Sequence, residues 1–401
     1  MNRRWTSLLT VAFVLMTGWF ALLSTAFSDD KPTKRPVARS TSKTRAAKRK
    51  VKKRKRRVRR RRRRRRRRGP RTRYERVRVI QGNIAPKSVV HSGQGLFFAQ
   101  NMMYRHTVTV YNRKGKLVKT ISDRIRLKKY GVPNTKGWYK GSPVEVAFSH
   151  KGRYAWVSNY KIYGWGFWKR ASDGCSRKRK YDPSFLYLID TRKLTIESVI
   201  KVGSVPKYLA VSPNNRWVLV SNWCSGDISV IDTKTRKEVR RVNIGRFPRG
   251  IAIDPTSSTA YVAVMGWTRV AVVDMKTWKV KKYWKIGRGP RHINMDPKGK
   301  YIYVTLNSES RVAKVDAKTG KILRKVRTGS IPRSAVLSAD GKSLFVVNYV
   351  SHTFAKVRTS DMKVLGYEST WKRPIGITYD DKKKQVWVAC YSGAILVFQD
   401  K

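Results

Sequence analysis

The sequence predicts an all-β fold, a seven-bladed β-propeller of four-stranded blades whose ring is closed by an N-terminal strand. Three observations carry it. A proline recurs at Pro86, Pro143, Pro206, Pro248, Pro290, Pro332 and Pro374, and the last four intervals are all 42 residues. Each proline from Pro143 on is followed by an apolar alternation of period two, a polar turn and an apolar run, as in GIAIDPTSSTAYVAV at 250–264. The last unit ends at Lys401 after its third strand, one strand short. Period-two alternation punctuated by Gly, Asp, Asn and Pro every eight to twelve residues is the pattern of short antiparallel strands, and four such strands in a repeat of this length make a propeller blade. No window of helical period competes with them.

Ahead of the repeats lie two segments of different character. Residues 1–28 read as an export signal: Arg3 and Arg4 form a basic start, Leu8 to Leu23 an apolar core, and Ala26-Phe27-Ser28 a small-residue cleavage site. The alternative is an uncleaved membrane anchor through residues 8–27, long enough for a span of about 20 residues. Residues 29–73 hold 27 basic and two acidic residues, including an unbroken Arg59–Arg68, and almost nothing to bury. That composition predicts a disordered arm. The whole chain carries 92 basic and 23 acidic residues, a formal +69. From Tyr74 onward 63 basic residues still face 21 acidic ones, so the expected propeller, 74–401, is itself strongly cationic. Such a balance selects anionic partners rather than a fold.

Within each unit the first turn reads SHKGR, DPKGK or SADGK, and the second reads VIDTKTRK, VVDMKTWK or KVDAKTGK. A charged alternating strand then closes the blade, as in VRRVNIG, KKYWKIG and LRKVRTG. The segment RYERVRVIQGNIAP at 73–86 has the same charged alternation and leads into the first proline. Tyr74–Gln81 is therefore expected to supply the missing fourth strand of blade 7 and to remove two open sheet edges.

The second strands contain Trp156-Val157-Ser158-Asn159, Leu219-Val220-Ser221-Asn222, Tyr303-Val304-Thr305-Leu306 and Phe345-Val346-Val347-Asn348. With the two turn phrases they resemble the repeat of the YVTN β-propeller family over about Ile84 to Lys401. The resemblance implies an extracytoplasmic binding or surface protein, or a lactonase-like hydrolase; fold alone does not choose. The chain departs from the pattern at Val264, Leu306 and Cys390, where Asn would stand.

The family architecture also implies that the loop entering each blade shares a face with the loop between its second and third strands. The residue after the proline then marks one mouth of the central channel, and it is Lys87, Lys207, Arg249, Arg291 and Arg333 in five blades, with Val144 and Ile375 as exceptions. Repeated cations at a funnel focus anions. The same face is expected to receive two long insertions, 124–141 and 160–183, rich in Lys and Arg and carrying Trp138, Tyr139, Trp165, Phe167 and Trp168. Neighbouring loops add Trp223, Trp267 and Arg269. Cations between aromatic rings suit polyanions that can stack.

Support for catalysis is thin. Ten carboxylates occupy turn slots, where Asx chemistry accounts for them, and Glu145, Asp227 and Glu309 are the ones left near the channel mouth. Glu145 and His292 share one slot in different blades, the only pair that could converge; no catalytic residue, metal site or cofactor is assigned. Cys175 and Cys224 fall in corresponding loops of adjacent blades and are expected to form a disulfide in an exported chain, with Cys390 a buried apolar residue. The function expected is an exported (periplasmic or extracellular), monomeric, non-enzymatic protein. Its ligand-binding residues are Lys87, Lys207, Arg249, Arg291, Arg333, His292, Trp223, Trp267, Arg269, Trp165 and Trp168, and its partners nucleic acid, acidic polysaccharide, lipopolysaccharide or an anionic membrane surface.

Overall fold

The computed structural model describes residues 74–176 and 178–400; the signal or anchor segment and the basic arm lie outside the described residues. Seven four-stranded antiparallel sheets follow one another. Blade 1 begins at Ser88–His91, blade 2 at Pro143–Ser149, and blades 3 to 7 at Pro206–Val211, Pro248–Ile253, Pro290–Met295, Pro332–Leu337 and Pro374–Asp380. These seven inner strands touch their neighbours in turn, and the first touches the last, so they enclose a central channel. The fourth strand of blade 7 is Glu75–Ile80, paired antiparallel with Ala394–Gln399 from Glu75 opposite Gln399 to Ile80 opposite Ile395. Among the described residues no helix is long and apolar enough to cross a membrane.

The core consists of seven interblade seams. Trp156, Leu186, Val218 and Val220 join blades 2 and 3; Phe345, Phe354, Val386 and Leu396 join blades 6 and 7; Phe97, Tyr111, Trp387 and Ile395 seal blade 7 against blade 1. The second and third strands are buried on both faces, which is why they read as nearly continuous apolar runs, whereas fourth strands such as Lys237–Asn243 are largely exposed and read as charged alternation. The second turn is held by its aspartate: Asp190, Asp232, Asp274 and Asp316 each accept two backbone N–H bonds through Oδ1.

The Asn at the end of a second strand is a buried tie. Asn101 and Asn159 accept the backbone N–H of Ala85 and Ser142, each 3.1 Å away, and so fasten the crossover that enters their own blade. Val264, Leu306 and Cys390 cannot do this, and blades 4, 5 and 7 keep a backbone bond such as Met265 N to Phe247 O, which blades 3 and 6 also make. Val205, Phe247, Gly289, Ile331 and Arg373, each directly before a repeat proline, have φ between 54° and 65°. For Val and Ile this left-handed backbone is costly, and it turns the chain so that the residue after the proline faces the channel.

Candidate functional site

Lys87, Lys207, Arg249 and Arg291 are buried within the channel, not displayed at its rim, and Arg333 is half-buried beside them. For Lys207, Arg249, Arg291 and Arg333 the turn just described carries the chain over the top of the blade ahead of the buried side chain, whereas Lys87 is buried without such a turn before its proline. The five form one electrostatic unit. Burial pushes Lys87 down to about 8, with the Arg249 and Arg291 charges adding to the effect and Glu145 opposing it. Burial likewise lowers Lys207 well below its ordinary value, with Arg249 adding to the fall and Asp173 opposing it. Arg291 is pushed down by burial and by Arg249 and Arg333.

Two carboxylates answer these five cations. Glu145 Oε1 lies 3.1 Å from Lys87 Nζ. Asp173, from the blade 2 insertion, pairs with Lys207 and accepts the Tyr160 hydroxyl at 2.8 Å. Burial works against ionisation of Asp173, yet Lys207, Tyr160 and Arg249 together hold it at about 2. Three positive charges are left over. Among the described residues Arg249 and Arg291 make no ion pair and no hydrogen bond through their guanidinium groups, although they are only 7% and 5% exposed. Arg333 has its Nε buried without a partner and lies 4.3 Å from the Tyr349 ring centroid.

Beside the cations stands an aromatic collar, of which the sequence pointed to Trp223 alone. Tyr160, Trp223, Tyr349 and Tyr391 each follow the last residue of a second strand, a position fixed by the same repeat and therefore legible in principle. Trp223 stacks on Phe247 at 4.5 Å, reaches Lys207 and Arg249 at 5.4 and 5.7 Å, and donates from Nε1 to the Asp173 carbonyl at 3.1 Å. Tyr391 meets Tyr349 edge to face at 6.1 Å, and burial raises its hydroxyl to about 12, so it stays a neutral donor.

One residue further along each inner strand stand Ser88, Glu145, Tyr208, His292 and Ser334, all lining a cavity of about 450 Å³. His292 lies edge-on to Tyr208 at 5.0 Å, and burial with the Arg291 and Arg249 charges pulls it down to about 3, leaving it neutral. Glu145 is engaged by Lys87, and Asp227 and Glu309 lie with Arg241 and Lys325 instead. A cleft of about 540 Å³ between Arg78–Ile84 and the outer strands of blade 1 is larger, but lacks any such concentration of charge.

The other sequence candidates separate from the ring. Trp267 lies edge-on to Tyr283 of an outer strand, and Arg269 lies against Trp267. Trp165 and Trp168 are 53% and 68% exposed on the blade 2 insertion, Trp165 with Lys136 over its ring. The two insertions meet through a bridge between Lys140 and Tyr163, with Tyr139 and Phe167 buried beneath. Cys175 and Cys224 are disulfide-bonded with Cα atoms 5.8 Å apart, clamping the blade 2 insertion to blade 3; Cys390 is free and buried.

Residues 185–368 match the family of YNCE-like beta-propellers. The match runs from the third strand of blade 2 to the end of blade 6 and agrees with the YVTN-type repeat. Among solved structures, a chain titled Kuenenia stuttgartiensis Hydrazine Synthase is similar with a TM-score of 0.63 and 17% identity, over 80% of this chain and 97% of that one. At that identity the likeness shows the propeller fold alone. No curated protein matched the chain.

Proposed function

We propose that this propeller is an exported, non-enzymatic binding protein for an anionic polymer or anionic envelope surface, gripping a negatively charged group in its channel while the basic loops and the arm hold the surrounding charge. One observation carries the reading: Arg249 and Arg291 are buried in the channel without a counter-ion. An uncompensated buried charge is expensive, and five cations raised at one repeat position against two carboxylates are the arrangement a ligand anion would neutralise. Export is favoured by the signal-like N-terminus and by a disulfide.

The test separates ring from arm. Binding of an acidic polysaccharide, lipopolysaccharide, single-stranded nucleic acid and anionic vesicles is compared between the protein, a variant reversed at Arg249, Arg291 and Arg333, and one reversed at Lys234, Lys276 and Lys318 in the turns of the opposite face. The channel variant is expected to lose one ligand selectively. Equal weakening by both sets means diffuse electrostatics, which arm and surface supply through counterion release, and removes the channel from the function.

A further inference from the structure

We infer that the channel ring takes a compact multivalent oxyanion of the phosphate class, a phosphomonoester or pyrophosphate-type group; this rests on the anion-binding reading above and names its ligand. Charge balance is the first argument. Lys87, Lys207, Arg249, Arg291 and Arg333 face Glu145 and Asp173, so three charges need an answer. A carboxylate would leave two of them buried and bare. A phosphomonoester brings about two negative charges at neutral pH, and a pyrophosphate group more.

Donor geometry points the same way. Arg249, Arg291 and Arg333 occupy one position on three consecutive inner strands, Lys207 occupies it on the strand before them, and Lys87 lies immediately ahead of the inner strand Ser88–His91. Donors therefore converge from around an axis. A planar carboxylate presents one edge and is satisfied by a single guanidinium fork; a tetrahedral oxyanion has oxygens for several forks at once. The remaining polar groups at the mouth add donors: the Tyr391 hydroxyl keeps its proton, while Trp223 is already committed to Asp173. The next position along the channel, with neutral His292, Ser88, Ser334 and Tyr208 around about 450 Å³, has room for whatever the phosphate is attached to.

Phosphate chemistry could arrive free or as the end group of a larger molecule, and titration calorimetry on the full chain tells these apart. The probes are inorganic pyrophosphate, inorganic phosphate, glucose 1-phosphate, acetate and polygalacturonate, each against wild type, Arg291→Gln, Arg249→Gln and Arg269→Gln. Expected is 1:1 binding of the phosphate compounds that persists at moderate salt, with acetate much weaker. Loss of one charge-assisted contact in Arg291→Gln or Arg249→Gln should weaken it by roughly 10- to 100-fold, with Arg269→Gln unchanged. Tighter binding of glucose 1-phosphate than of inorganic phosphate assigns the site to an end group; the reverse assigns it to a free ion. If no phosphate compound saturates the protein but polygalacturonate binds and is lost in Arg291→Gln, the phosphate assignment falls and the anion-binding channel stands. If binding of every probe survives in both channel variants, both readings fall.

Discussion

Asp173 is ion-paired with Lys207, and the contact joins an insertion of blade 2 to the inner strand of blade 3. It makes a loop 24 residues long, 160–183, part of the channel wall. Asp173 lies two residues before Cys175, whose disulfide to Cys224 fixes where the loop can reach, and Trp223 beside Cys224 donates its indole N–H to the Asp173 carbonyl. The carboxylate trims the ring from four surplus charges to three.

Replacing Asp173 with Asn keeps the Tyr160 hydrogen bond and removes the charge. Lys207, only 6% exposed in its side chain, then lacks its counter-ion. The expected result is a loss of about 1–3 kcal/mol of stability in the ligand-free protein together with tighter anion binding. Thermal melting with and without pyrophosphate checks both signs; a variant that melts lower and also binds more weakly would mean the pair serves only to place the loop.

The disulfide gives a second expectation. Peptide mapping without reductant, on protein from its native compartment, should recover Cys175 joined to Cys224, with Cys390 the only alkylatable thiol. Closing a loop with a sequence separation of 49 residues restricts the unfolded chain by up to ~4 kcal/mol, so Cys175→Ser should melt clearly lower. Three reactive thiols in that sample would argue against export.

Much of this fold was legible because a repeat converts weak local signals into a strong periodic one. The seven prolines placed the seven inner strands, and the charged alternation of 75–80 placed the closing strand. The site was half legible. Repeat position marked the five cations, but the left-handed turn ahead of four of them is one that residue identity conceals, since Val205, Phe247 and Ile331 adopt it despite its cost, as Gly289 does without one. Asp173 escaped because it lies in an insertion outside the repeat, where only its nearness to Cys175 gave it away. Trp267 and Arg269 lie with each other and with Tyr283 of an outer strand, contacts the sequence does not show because a loop's face does not fix the direction of its side chains.

Ring closure should be costly to undo. Glu75–Ile80 pairs with the strand Ala394–Gln399 from Glu75 to Ile80 with one register shift between Arg76 and Arg78, and Ile80 joins the seam of Phe97, Trp387 and Ile395. Deleting 74–82 is expected to lower the melting temperature of the entire propeller in one cooperative transition, whereas deleting 29–72 should leave it nearly unchanged. Equal melting of the protein with and without 74–82 would show that the ring closes well enough without this strand.

Lys87 makes ligand affinity depend on pH. Burial in the folded, ligand-free protein pushes it down to about 8, below its ordinary 10.5. Between those values the unfolded chain binds the extra proton, so this lysine's contribution to stability improves as pH rises from 8 to 10.5. An anion in the ring reverses the preference by favouring the ammonium. Binding should therefore take up protons near pH 8 and weaken above it, while Lys87→Met loses both the proton uptake and the relative gain in alkaline stability. Calorimetry in buffers of different ionisation enthalpy checks the uptake; a buffer-independent heat near pH 8 would sink the idea.

Arg291 offers the sharpest separation of function from architecture. A residue kept for structure destabilises when it is removed. Arg291 is 5% exposed, is pushed down by burial and by Arg249 and Arg333, and makes no ion pair or guanidinium hydrogen bond among the described residues. A buried charge without an ion pair carries a desolvation penalty that nothing repays, so an apolar side chain of similar length in its place is expected to be neutral or stabilising. Arg291→Met should therefore melt at the same temperature as wild type or several degrees higher without ligand, and should gain much less from added pyrophosphate, because the ligand-linked increment follows affinity. A lower melting temperature in ligand-free Arg291→Met would show that the guanidinium holds the ring together, and the cations would then belong to the scaffold rather than to a binding site.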